Sequence, residues 1–196
     1  MANAGPITVL VDTREQKKWS LDPSRFVMER ATLRTGDYTV KGLEDQFILE
    51  RKSLGDAVGT FISDWLRFRR ELYRLAAFNF AAIIVEADVE DVLAHRYESD
   101  ANPMSVIGRA HACYLDHGVP VFFWGNKSGC VTMVESLIAI AVKKLGISDG
   151  EESWASPTVK IESSPSGSVS QSRNSLNNGS LTGSQQLPSR AAPTRP

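Results

Sequence analysis

Asp37 and Glu50 stand at matching points of two short runs, GDYTVK (36–41) and QFILERK (46–52), with Lys52 just beyond the glutamate. Asp12 closes an earlier run, ITVLV (7–11). If Gly42 to Asp45 is a tight turn, Lys41 opposes Gln46 and, further along, Asp37 opposes Glu50. Opposed residues share a face with Cβ atoms about 4.5–5.5 Å apart. Two carboxylates there repel unless something positive sits between them. Strand side chains alternate, so Lys52 points to that same face and Arg51 to the other. Asp12, at the carboxyl end of its run, adds a third carboxylate where α/β sheets place their sites. Oxygen-only ligands suit Mg²⁺ or Mn²⁺. Such an ion can polarise a phosphodiester while a nearby lysine neutralises phosphate charge, so the set is suited to hydrolysing a nucleic-acid backbone. A surface hairpin with solvated acids and an exposed Lys52 ion pair worth about 0.2–1 kcal/mol fits the same spacing. A one-residue slip of register would turn Glu50 to the opposite face.

The elements that must position these groups are legible as periodicity. ITVLV is β-branched and ends at Asp12, as a buried strand does. FVMERATL (26–33), YTVK (38–41) and QFILERK (46–52) read as further strands, the last two forming a hairpin. DWLRFRRELYRLAAF places Trp65, Phe68, Leu72 and Leu75 on one apolar helical stripe. FAAIIVEA (80–87) and VPVFFW (119–124) read as buried strands, separated by helix-like VEDVLAHRY and PMSVIGRAHACYLDHG; CVTMVESLIAIAVKKLG gives a last helix stopped at Gly146. The expected fold is α/β, a three-layer arrangement of a mixed central sheet flanked by helices.

Composition sets the outer bounds. The 196 residues are 42% hydrophobic and 23% charged, a globular balance, with a formal net charge of −1 that gives no long-range pull toward nucleic acid or anionic membrane. Any such binding must come from local clusters. The expected domain occupies residues 1–150; residues 151–196, rich in Ser, Asn, Gly and Pro, read as a low-complexity, disordered tail. Cys113 and Cys130 lie in apolar segments without metal-ligand spacing, which points to reduced thiols in an intracellular compartment. With no secretory signal and no run of about 18 apolar residues, the expectation is a cytoplasmic protein, nucleoid-associated in a prokaryote, without a membrane partner.

The order of the motifs is more specific than any one of them. VDTREQ (11–16), GDY (36–38) and ERKSLGD (50–56) resemble the nuclease domain of the XPF-type structure-specific endonucleases, whose pattern is GD, a variable hairpin and ERKxxxD after an upstream DxRE. The similarity continues through RFRRELYRL and AAIIVE to GVPVFFWGN and the last helix, covering most of residues 7–145. The resemblance implies a PD-(D/E)xK nuclease core. It implies Asp37 and Glu50 as metal ligands with Asp12 close by, and Lys52 as the catalytic lysine. Arg51 joins the catalytic set, and Arg14, Glu15 and Asp56 take supporting roles, Asp56 as a tether for a lysine or an arginine. Relatives from archaea and eukaryotes usually continue into paired helix-hairpin-helix units. The segment after Gly150 does not read as such, and residues 88–112 look more like the compact stand-alone versions of bacteria and phages.

Arg67, Arg70 and Arg74 fall on the side of their helix opposite the apolar stripe, where they could contact phosphates. A solvated charged face is the alternative, since Glu71 could pair with Arg67 or Arg74. The resulting expectation is a Mg²⁺- or Mn²⁺-dependent DNA endonuclease acting on branched or flap DNA in repair, recombination or replication, as a possible homodimer or heterodimer. A catalytically silent DNA-binding subunit of a nuclease heterodimer is the second reading; such partners typically lose acidic or lysine motif positions, and none is missing here.

Overall fold

The computed structural model describes residues 5–146; the tail expected from residue 151 lies outside the described residues. Six strands form one sheet in the order β2-β1-β3-β4-β5-β6. They are β1 (Ile7–Asp12), β2 (Phe26–Ala31), β3 (Tyr38–Val40), β4 (Phe47–Lys52), β5 (Phe80–Val85) and β6 (Val121–Phe123). β3 runs antiparallel to both neighbours, while β1 and β2, β4 and β5, and β5 and β6 pair in parallel. This is the mixed sheet that the sequence predicts, and its helices are α1 (Leu54–Ile62), α2 (Trp65–Leu75), α3 (Val89–Leu93), α4 (Pro103–His117) and α5 (Lys127–Leu145).

Two apolar cores sandwich the sheet. On one face Ile48, Ile83 and Val85 pack against α1, α2 and α4, with Phe61, Phe68, Leu72 and Cys113 buried there. On the other, Val9, Tyr38, Leu49 and Ile84 pack against α5 and against Trp19 and Leu21 of the β1–β2 connection. Both cysteines are buried and free, and burial pushes each thiol up to about 12. The predicted α2 stripe is the buried one: Trp65, Phe68, Leu72 and Leu75. α1 is a separate helix that the periodicity does not announce. Ser53 caps it, its Oγ accepting from the Asp56 N–H at 3.2 Å and donating to Asp56 Oδ2 at 2.6 Å.

The topology delivers the candidate residues to one place. Because β3 is antiparallel to β1 and β4, the backbone just before it meets their carboxyl ends: the Asp12 N–H donates to the Asp37 carbonyl and the Asp37 N–H to that of Leu49, each at 2.8 Å. Tyr38 pairs with Leu49, the register expected of the hairpin. Gly36, just upstream, takes φ +70°, and a Cβ on it would run into the Ile48 side chain and lie 3.2 Å from the Leu49 carbonyl oxygen. Glycine is therefore required to bring Asp37 this close to β4.

Candidate active site

Alternation along β4 separates two kinds of chemistry. Ile48 belongs to the α1/α2/α4 core and Leu49 to the α5 core, so Glu50 and Lys52 emerge on the first face and Arg51 on the second. Glu50 and Lys52 are 8% and 9% exposed, and Lys52 Nζ donates to Glu50 Oε1 at 2.8 Å. The ammonium also lies 5.2 Å from the centre of the Phe68 ring, where the π face favours a cation. Burial pushes the Lys52 ammonium down, but Glu50, Glu71 and Asp37 more than offset this, so it stays charged well beyond neutral pH.

Asp37 is fixed from the opposite strand, its Oδ2 accepting the Arg51 backbone N–H at 2.7 Å. Burial first, then the neighbouring carboxylates of Glu15 and Glu71, push its carboxyl up to about 6. Burial likewise raises Glu50 to about 7, with Asp37 and Glu71 adding to the rise and Lys52 opposing it. Neither Asp37 Oδ1 nor Glu50 Oε2 has a hydrogen-bond partner among the described residues, yet the one buried partnerless side-chain oxygen there is Thr35 Oγ1. Those two carboxylate oxygens therefore reach solvent. Two crowded, buried carboxylates with free oxygens at a solvent edge fit a hard divalent cation.

Asp12, expected as a third ligand, has both carboxylate oxygens taken up by other partners. Among the described residues no three acidic, histidine or cysteine side chains are placed to hold an ion together. The reason is local. Asp12 Oδ1 accepts from Arg14 Nε at 2.6 Å and from the Arg14 N–H at 2.9 Å, while Oδ2 accepts from Arg14 Nη2 at 3.1 Å and the Leu33 N–H at 2.8 Å. Burial raises its carboxyl, but these bonds outweigh burial and hold it below the usual range. Arg14 feels Asp37 and Glu50 as well as Asp12, and its side chain is 68% exposed, so it stands at the mouth of the site.

On the back face the Arg51 guanidinium forms a fork with Glu86, through Nε to Oε1 at 3.0 Å and Nη2 to Oε2, with Glu15 Oε1 3.8 Å from Nη1. Trp19 Nε1 donates to Glu86 Oε1 at 2.8 Å, and its ring stacks on Tyr38 at 4.2 Å. The Tyr38 hydroxyl accepts the Trp19 N–H at 3.0 Å. Arg51 thus aims its side chain away from the acids it was grouped with and supplies only its backbone N–H to them. Asp56, expected as a tether, accepts from the Ser53 hydroxyl in the first turn of α1, and no ion pair joins it to a lysine or arginine among the described residues.

Sequence reasoning missed Glu71 and Glu86. Glu71, half-buried on α2, makes no ion pair with Arg67 or Arg74; its charge is felt by Asp37, Glu50 and Lys52 instead. It sits three residues after Phe68, whose ring Lys52 approaches, a tertiary contact that the sequence does not announce. Arg67, Arg70 and Arg74 are exposed, and Arg67 lies 3.6 Å from Asp64. No helix among the described residues is long and apolar enough to cross a membrane.

Comparison with known proteins places this geometry in a family. A family model described as the ERCC4 domain matches residues 11–137. A curated protein of Methanocaldococcus jannaschii, named as an ATP-dependent RNA helicase, is 30% identical over 139 residues, 71% of this chain and 16% of its own length. The chain thus spans only a small part of that relative. XPF from Aeropyrum pernix is similar in structure with a TM-score of 0.56 and 26% identity, over 70% of this chain and 66% of that one. The same archaeal protein solved in complex with DNA gives 0.55 at the same identity and coverage. Fold, motif order and family match agree over the strands and helices that carry Asp37, Glu50 and Lys52, and the chain belongs to the ERCC4-domain family of XPF-type nucleases.

Proposed function

We propose that this chain is a metal-dependent DNA endonuclease that hydrolyses one strand at branched or flap DNA. The observation that carries the reading is the pair of raised, half-satisfied carboxylates, Asp37 and Glu50, beside a charged Lys52 on one face of the sheet. Asp37 and Glu50 would hold Mg²⁺ or Mn²⁺, which prefers one or two carboxylates and leaves positions for water and phosphate. When bound, the ion supplies Lewis acidity toward the phosphodiester. Lys52 fixes the Glu50 carboxylate and offers its ammonium to the charge that develops on phosphorus-bound oxygens. The Arg51 N–H holds Asp37 in place, and Phe68 keeps the ammonium partly desolvated, which strengthens its field. Arg14 at the mouth and Arg67, Arg70 and Arg74 on α2 would receive the backbone of the substrate. That the archaeal neighbour was solved with DNA supports a DNA substrate here.

The test is cleavage of labelled flap, splayed-arm and four-way DNA in Mg²⁺, with Glu50→Gln beside the wild type. Incision by the wild type alone is expected. Binding without incision, unchanged by the substitution, would instead make the chain the silent subunit of a heterodimer; equal cutting by both proteins would place the chemistry elsewhere.

A further inference from the structure

Where the turn between α1 and α2 meets α4, a depression of about 540 Å³ is lined by Trp65, Arg67, Arg70 and Arg109, with Asp64 at its side. Arg109 was absent from every motif. Its guanidinium lies over the Trp65 ring, 4.4 Å from the centre, and Trp65 is 9% exposed, so the ring forms the floor and the cation covers it. Neither Arg70 nor Arg109 has a carboxylate partner among the described residues. The one acid present, Asp64, faces Arg67 across 3.6 Å with both side chains more than half exposed, a contact that a stronger acceptor displaces readily. The depression therefore carries a net positive charge.

Its position says what it would bind. Lys52 Nζ lies 5.2 Å from the Phe68 ring centre, Phe68 lies 6.4 Å from Trp65, and Trp65 lies 4.4 Å from Arg109. These three steps join the acidic centre to the arginine pocket along the α2 side of the fold. At about 3.4 Å of rise per nucleotide, a strand lying over Lys52 reaches the pocket within about five nucleotides. An acidic peptide would have no reason to sit beside a cluster of carboxylates, whereas a DNA strand held for cleavage must run past it. We infer that Arg109 and Arg70 form a second phosphate site, which grips the DNA backbone within about five nucleotides of the bond to be cut. Held over Trp65 and without a carboxylate partner among the described residues, the Arg109 guanidinium keeps N–H donors that suit a phosphate oxygen.

This inference rests on the nuclease reading, and the experiment separates the two. Binding of the full-length chain to duplex DNA is measured against salt concentration in EDTA, for the wild type, Arg109→Gln, Arg109→Lys and Arg70→Gln. Each lost phosphate contact lowers the slope of log K against log salt by about 0.9. That drop is expected for both Gln variants, with Arg109→Lys retaining the wild-type slope. In Mg²⁺, both Gln variants should cut long substrates more slowly than the wild type. The deficit should vanish on substrates truncated so that the flank ends short of the pocket. Wild-type slopes in both Gln variants, with the wild type still cutting DNA, overturn the inference and leave the nuclease reading standing. A lower melting temperature in Arg109→Gln with an unchanged slope also overturns it, since Arg109 then only covers Trp65. If the wild type neither binds nor cuts DNA, the nuclease reading itself falls and takes the pocket with it.

Discussion

Glu50 and Arg51 are adjacent residues on β4, buried to similar depth, yet their surroundings differ in kind. Behind the sheet, Arg51 is gripped by Glu86, Glu15 sits close, and Trp19 braces Glu86. In front, Glu50 holds one lysine and leaves an oxygen free, against the repulsion of Asp37 and Glu71. One strand thus carries a satisfied network that holds the fold and an unsatisfied one that, on the proposed reading, captures the ion. The back face supports the front directly, because fixing Arg51 fixes the backbone N–H that orients Asp37.

The strongest test of this division is to damage each face in turn. Glu50→Gln should lower cleavage in Mg²⁺ by on the order of 10³-fold while leaving the metal-free protein as stable as the wild type or more so at pH 8, read by thermal melting. Loss of folding in that variant would mean that the front face is structural after all. Glu86→Ala should do the opposite kind of harm. It leaves Arg51 buried without its fork, and breaking such a pair costs about 3–5 kcal/mol, visible as a lower urea midpoint.

A smaller effect concerns the ion. Mg²⁺ at 100 times its dissociation constant should stabilise the wild type by about 2.7 kcal/mol and Asp37→Asn by much less. Equal stabilisation of both would place the cation elsewhere. Finer still is the pH dependence in EDTA. Asp37 and Glu50 are raised on folding, to about 6 and about 7 from 3.8 and 4.5, so the folded state binds more protons than the unfolded one between those values. Their contribution is complete below about pH 4 and is lost as pH rises through 6 and 7. Asp12 is lowered instead, so its contribution is present above its unfolded value and is lost in acid. The double variant Asp37→Asn/Glu50→Gln should flatten the loss between pH 5 and 8 while leaving the acid limb, and an unchanged slope would contradict the assigned shifts.

What could be read from residue order, and what could not, follows from the range of each interaction. The hairpin register was legible because a short turn and a period of two leave little freedom, and the α2 stripe because its four apolar residues repeat at helical spacing. Asp12 was legible as a carboxylate at a strand end, but its partner Arg14 lies in the loop just beyond, where periodicity says nothing. The Arg51–Glu86 fork spans 35 positions and depends on the parallel pairing of β4 with β5 across two intervening helices. Glu71 read as one more solvent-facing charge because which side of α2 approaches Lys52 is set by tertiary packing. α1 is short and carries glycines at 55 and 59, which lower helix propensity, so its buried face of Ala57, Val58 and Phe61 is too brief to stand out in the sequence.

Gly36 carries a consequence for how this centre tolerates change. Asparagine or glutamate can stand in for Asp37 with some shape preserved, but nothing can stand in for a missing Cβ where Ile48 already fills the space and the backbone is left-handed. In a saturation library over these two positions, inert yet folded proteins should come from position 37, and position 36 should tolerate no residue but glycine.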